Sequence, residues 1–148
     1  MYKEIKGDLF RETETGSFDV IAHQINCFCV QGGGISGQFV KRFNTNNGMF
    51  YPGELEKNRG NINKLGNIEC NYPTLSYGLL AVVNLYGQYE PGANTDYTAL
   101  RFCLKKLNHM FKGMRIGLPQ IGCGIGGGDW EEVRKIIKEE LIDCGLVS

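Results

Sequence analysis

The chain has 148 residues, and its 16 Lys and Arg balance 16 Asp and Glu to a formal net charge of zero. Apolar residues make up 42% and charged residues 22%, which excludes wholesale disorder and suits one domain over residues 1–148. Neutrality argues against a phosphate-tracking nucleic-acid surface, and no apolar run approaches the roughly 20 residues of a membrane span.

The opening Met1–Phe10 has neither a basic nor an apolar secretory region, so a cytoplasmic compartment is expected, the host's if the protein is viral. The six cysteines (27, 29, 70, 103, 123 and 144) form no CxxC pair. Reduced thiols and no zinc site follow, and no cofactor or metal is expected. Neither a membrane nor a nucleic acid is expected as a partner.

In chain order, Tyr2–Lys6 predicts a first strand that ends in the turn Gly7-Asp8. Val20–Asn26, with β-branched Val20, Ile21 and Ile25, predicts a buried strand. Ile35, Phe39, Val40 and Phe43 mark the apolar face of a helix. A weaker helix is placed within Tyr51–Asn58, between polar loops at Asn44–Met49 and Arg59–Asn63. Leu79–Tyr86, the most apolar run, predicts a central strand. Thr95–Phe111 then predicts a helix, Met114–Leu118 a short strand and Glu131–Ile142 a last helix, with Asp129 and Glu132 spaced as a cap pair. The expected architecture is α/β, with helices packed on a mostly parallel or mixed sheet.

Glycine is the compositional outlier, 21 of 148 residues, and its two clusters both fall between a strand and a helix. One is Gly32-Gly33-Gly34. The other runs Gly122-Cys123-Gly124-Ile125-Gly126-Gly127-Gly128. Glycine lets backbone approach a phosphate closely and turn its N–H groups inward, and a helix N-terminus adds favourable partial charge. Neither cluster continues as the Lys-Ser/Thr of a Walker A loop. Gly122, Gly124 and Gly127 spell G-x-G-x-x-G, yet no βαβ unit follows, so a Rossmann site is not indicated.

The polar residues beside these loops each allow two readings. His23 is either a core histidine or a group that moves protons. By strand alternation it faces away from Gln24 and Asn26. Asn26 either bonds nearby backbone or orients a hydroxyl or a water. Asp129 is a helix cap or a water-positioning carboxylate, and Asp8 is a turn residue or a ligand contact. Cys123 is a bystander thiol or a nucleophile, although no C-x5-R loop follows it. Asp96 and Tyr97 read as helix-start residues.

Together these segments resemble the macro domain family of ADP-ribose-binding modules. The matching pieces are Gly7-Asp8-Leu9, Ile21–Phe39 (IAHQINCFCVQGGGISGQF), Val82–Gln88 (VVNLYGQ), Thr95–Arg101 (TDYTALR) and Leu118–Val133 (LPQIGCGIGGGDWEEV). His23 ahead of Asn26, with Gly-Gly-Asp-Trp after the second loop, is most similar to the phage and fungal branch of ADP-ribose 1″-phosphate phosphatases. The resemblance implies a three-layer α/β/α fold with a mixed, mostly parallel central sheet, and a metal-independent hydrolase that acts as a monomer on ADP-ribose or ADP-ribose 1″-phosphate. An ADP-ribosylated protein or nucleic acid end is the alternative substrate, and a non-enzymatic reader of ADP-ribose is the third reading.

Position by position, it implies that Asp8 and Leu9 meet adenine and Asn26 the distal ribose. Gly32, Gly33, Gly34 and Ile35 surround that ribose and the pyrophosphate. Gly122, Cys123, Gly124, Ile125, Gly126 and Gly127 cradle phosphate, and His23, Asn26 and Asp129 are the catalytic set. Gly126 stands where many members carry an aromatic, with Phe28 or Trp130 as substitutes. In members that form a lysine adduct the same position is an aspartate, so that mechanism is disfavoured. The family's last strand often bears an adenine-stacking aromatic, and Leu146-Val147-Ser148 supplies none.

Overall fold

A computed structural model describes residues 2–30, 33–43, 45 and 59–147. It contains β1 (Tyr2–Ile5), α1 (Leu9–Glu14), β2 (Val20–Asn26), α2 (Gly34–Phe43), β3 (Ile68–Asn71), β4 (Ala81–Gln88), α3 (Tyr97–Met110), β5 (Ile116–Leu118), α4 (Trp130–Glu140) and β6 (Cys144–Val147). A short 3-10 turn, Ile62–Lys64, precedes β3. Gly32 and the helix expected within Tyr51–Asn58 lie outside the described residues, as does the loop at Asn44–Met49 apart from Thr45.

The strands form one sheet in the order β1-β6-β5-β2-β4-β3. All neighbours run parallel except β3, which is antiparallel to β4. This is the mixed, mostly parallel sheet the sequence predicts. β2 occupies the centre and every one of its residues is buried, which suits its near-continuous apolar run. Its alternation sorts the two faces. Val20 and Ala22 meet α3 and α4 residues such as Leu104 and Val133. Ile21 meets Phe10 of α1 and Phe39 of α2. Helices thus cover both faces and make three layers.

Three elements depart from the sequence pattern. α1 begins where a turn is expected, with Asp8 as its cap. β3 forms the antiparallel edge. β6 inserts in parallel between β1 and β5 and carries no aromatic. Phe18 explains two strand glycines, because a Cβ on Gly117 or Gly145 would meet its ring at 2.5 or 2.8 Å. Among the described residues no helix is long and apolar enough to cross a membrane.

Sheet order fixes where a ligand can sit. From β2 the chain leaves through the first glycine loop into α2, on one face of the sheet. From the adjacent β5 it leaves through the second loop into α4, on the other. Neighbouring parallel strands whose connections depart to opposite faces open a crevice at their carboxyl ends.

Candidate functional site

A cleft of about 240 Å³ occupies that crevice. One wall is Gly33, Gly34, Ile35 and Ser36, and the other is Gly122, Gly124, Ile125 and Gly126. Gln24, Asn26 and Gln88 line it at the ends of β2 and β4, with Val30, Pro91, Gly92 and Gln120 around them. The walls meet across the cleft, since a Cβ on Gly33 would lie 2.7 Å from Ile125 Cδ1. Among the described lining residues no side chain is titratable.

What the cleft offers instead is backbone. Among the described residues, none of the N–H groups from Gly122 through Gly126 has a hydrogen-bond partner, whereas Gly127 N and Gly128 N bond Gly124 O and Gly122 O. Opposite them stands the first turn of α2, whose N–H groups have no intrahelical acceptor. Free N–H groups on both sides make an anion-binding concavity.

A loop that leaves its own N–H groups free must be held by other atoms. Gln24 Nε2 donates to Gln88 Oε1 and to Thr95 Oγ1, both at 2.9 Å, and Thr95 Oγ1 donates to Gly122 O at 2.8 Å. Gln88 Nε2 in turn donates to Glu90 O and Gly92 O. Gly126 packs onto this network so closely that a Cβ there would lie 2.6 Å from Thr95 Oγ1 and 2.9 Å from Gly122 O. An aromatic or an aspartate has no room at this position. Gln24, Gln88, Thr95, Ser36 and Gln120 are site residues that sequence reasoning missed. All five lie within segments that resemble the macro domain family, and strand alternation puts Gln24 beside Asn26, but neither signal singles them out.

Of the residues expected at the site, Asn26, Gly33, Gly34, Ile35, Gly122, Gly124, Ile125 and Gly126 line the cleft. Asn26 Oδ1 accepts from Phe28 N and Val30 N, and its Nδ2 donates to Val30 O. These bonds hold the turn after β2, where Cys29 takes a left-handed φ of 59°. Among the described residues, the other Nδ2 proton has no acceptor.

His23 does not reach the cleft. It is fully buried with its ring stacked on Phe39 at 4.0 Å, and its nitrogens face Ser36 Oγ and Asn84 Oδ1. Burial lowers its pKa to about 4, although the Asn84 bond acts the other way. At pH 7 about one molecule in a thousand carries an imidazolium there, which makes it a poor base.

Asp129 caps α4 through Glu131 N and lies outside the lining, and Glu132 makes no reciprocal bond back to it. Asp8 Oδ1 caps α1, accepting from Phe10 N and Arg11 N, while Leu9 is buried in the α1/α2 core. The Cys123 thiol points to Ile121 O rather than into the cleft. Burial, and then the Asp129 charge, push it up to about 11, so it is no nucleophile at neutral pH. Gly127 turns the loop with φ 68° and its N–H is taken. Neither substitute aromatic covers the cleft: Phe28 packs on Tyr89, and Trp130 on the α3/α4 core. Ile125, by contrast, lines the cleft and meets Gly33 across it.

The macro domain family model matches residues 22–137, which span both loops and the sheet between them. The chain belongs to the macro domain family. It is 33% identical over 139 residues to the uncharacterized 17.5 kDa protein in the tk-vs intergenic region of Enterobacteria phage T4, covering 91% of this chain and 86% of that one. It is 28% identical to the ADP-ribose glycohydrolase OARD1 of Bos taurus, covering 91% of this chain and 80% of the relative. With the ADP-ribose 1″-phosphate phosphatase of Candida albicans it shares 25% identity over 94% of this chain and 93% of that protein. Among solved structures, the macrodomain of Thermus aquaticus DarG superposes with a TM-score of 0.76 at 21% identity, over 99% and 97% of the two chains. Within this macro domain, residues of both glycine loops line the cleft between β2 and β5.

Proposed function

We propose that this macro domain binds ADP-ribose across its two glycine loops and removes the terminal phosphate of ADP-ribose 1″-phosphate. The row of free N–H groups from Gly122 to Gly126, facing the start of α2, carries the reading. A diphosphate fills such a row, and among the described lining residues no carboxylate repels it. Asp8 accepts both of its cap bonds at Oδ1, which leaves Oδ2 for the adenine amino group. The uncommitted Nδ2 proton of Asn26 serves a ribose hydroxyl or a water. Phosphoryl transfer asks a protein mainly for positioning and stabilisation of charge, and fixed N–H donors supply both. The Candida albicans phosphatase, similar over nearly its full length, supports that chemistry. In this reading Asn26 orients the reacting group, His23 acts from behind Ser36, and Asp129 holds the loop to α4.

The bovine glycohydrolase supports a second reading, release of ADP-ribose from a modified protein. The crowding at Gly126 weighs against an aspartate-assisted lysine adduct in this chain.

One experiment separates these readings. Calorimetric titration should give micromolar or tighter binding of ADP-ribose that AMP cannot match. The purified protein should then release inorganic phosphate from ADP-ribose 1″-phosphate. Release of ADP-ribose from a modified protein with no phosphate release would favour the second reading. Binding with neither product would leave a reader of ADP-ribose, and no binding would remove the function.

A further inference from the structure

One hydroxyl in the cleft is aimed from beneath it. Ser36 Oγ lies 3.1 Å from His23 Nδ1, and His23 Nε2 lies 2.6 Å from Asn84 Oδ1. Asn84 Nδ2 donates to Glu69 Oε1 at 3.3 Å, and the Tyr86 hydroxyl donates to the same oxygen at 2.8 Å.

Each link sets the next. The Glu69 oxygen accepts, so the Asn84 amide turns its NH₂ toward it and its carbonyl oxygen toward the imidazole. That carbonyl requires a proton on Nε2. A neutral ring protonated at Nε2 has a bare Nδ1, which accepts from Ser36. The single proton of Ser36 is then committed to Nδ1, or to the more distant Gln24 O at 3.3 Å. Only lone pairs of Ser36 Oγ remain for the cleft. A second acceptor, Gln24 Oε1, is buried in the same lining without a partner among the described residues.

We propose that Ser36 is a specificity-determining residue, held as a hydrogen-bond acceptor by His23, Asn84 and Glu69 so that it takes a sugar hydroxyl and refuses a phosphoryl oxygen. The inference rests on the reading that ADP-ribose occupies this cleft. It assigns the distal ribose to the lining beside Ser36 and leaves the diphosphate to the N–H groups of the second loop. A phosphoryl oxygen beside Ser36 would face lone pair to lone pair, whereas a ribose hydroxyl donates. His23, Asn84 and Glu69 are positioning residues, since they act through Ser36.

The test titrates wild type and Ser36→Ala with ADP-ribose and with ADP, which lacks the distal ribose. Ser36→Ala should lose about tenfold in affinity for ADP-ribose and little for ADP, the size of one neutral hydrogen bond. Asn84→Ala should lose a similar factor, and the double variant should lose no more than either single one. Nitrogen-15 NMR of the wild-type imidazole should find the proton of His23 on Nε2, a readout that general loosening of the fold would not reproduce. An unchanged preference for ADP-ribose over ADP in Ser36→Ala, or a proton on Nδ1, would overturn the inference while leaving the proposed function standing. Absence of ADP-ribose binding by the wild type would remove the proposed function and the ligand assigned to Ser36 with it, even with the proton on Nε2.

Discussion

The two walls of the cleft are built in opposite ways. The first wall is the start of a helix: Gly33 to Ser36 run straight into α2, whose Phe39 and Phe43 are buried in the α1/α2 core. Its free N–H groups come with any helix start. The second wall has no such support, because Gly122 to Gly126 leave their N–H groups unpaired among the described residues. Side chains from β2, β4 and the head of α3 hold it instead. A backbone that presents its donors to a ligand must borrow its rigidity from elsewhere, and here it borrows from two buried glutamines and a threonine.

The contrast can be broken most severely at Gly126. Gly126→Asp forces a side chain against Thr95 Oγ1 and Gly122 O. Overpacking of this kind costs roughly 1–3 kcal/mol, and the displaced loop should lose about a hundredfold in ADP-ribose affinity. Calorimetry together with a denaturant melt would show both effects. An unaltered Kd would mean that the second wall does not bind the ligand.

Acid addresses the first wall through His23. Its pKa is lowered from 6.5 to about 4 in the folded state. Between those values the unfolded chain takes up a proton that the folded chain refuses, so stability is full above about pH 6.5 and falls as the pH drops toward 4. The total loss is roughly 3 kcal/mol. Denaturant midpoints at pH 7.5, 5.5 and 4 should follow this slope in the wild type and flatten in His23→Gln. Equal slopes in both proteins would assign the acid sensitivity to other groups.

Removing one strut of the second wall should cost less. Gln24→Ala deletes two hydrogen bonds and leaves Thr95 Oγ1 without its donor, an expected loss of about 1–2 kcal/mol. Hydrogen exchange should speed up at Gly127 and Gly128 while α2 stays protected. Faster exchange in both walls alike would deny that they are held separately. The smallest effect belongs to Ile125, which is 62% exposed where the walls meet. Ile125→Ala should change stability by less than about 0.5 kcal/mol, with a faster on-rate for ADP-ribose in stopped flow. An unchanged on-rate would mean that the contact with Gly33 does not limit access.

What could be read in advance follows the range of the forces involved. β2 matches its expected bounds, and α2 contains the apolar face expected of it, because burial and helical spacing write themselves locally. α1, at six residues, is too short to show a period. β3 is only half-buried, and β6 contains a glycine that yields to Phe18. Both glycine loops were legible because glycine at such density marks backbone that must turn sharply or be approached closely. The Gln24–Thr95 bond and the His23–Asn84 bond were not, since their partners lie 71 and 61 positions apart. His23 shows the limit well: alternation gave its face, but its neighbours decide that it is a neutral, buried ring.

The switch of connections between β5 and β2 has a consequence for descent. One wall is rooted in the Phe39 core and the other in a core of α3 and α4 residues, on opposite faces of the sheet. Substitutions far apart and without shared partners combine almost additively. The two supporting cores can therefore be revised separately, whereas Gln24, whose backbone oxygen accepts from Ser36 and whose amide holds Thr95, ties the walls themselves together.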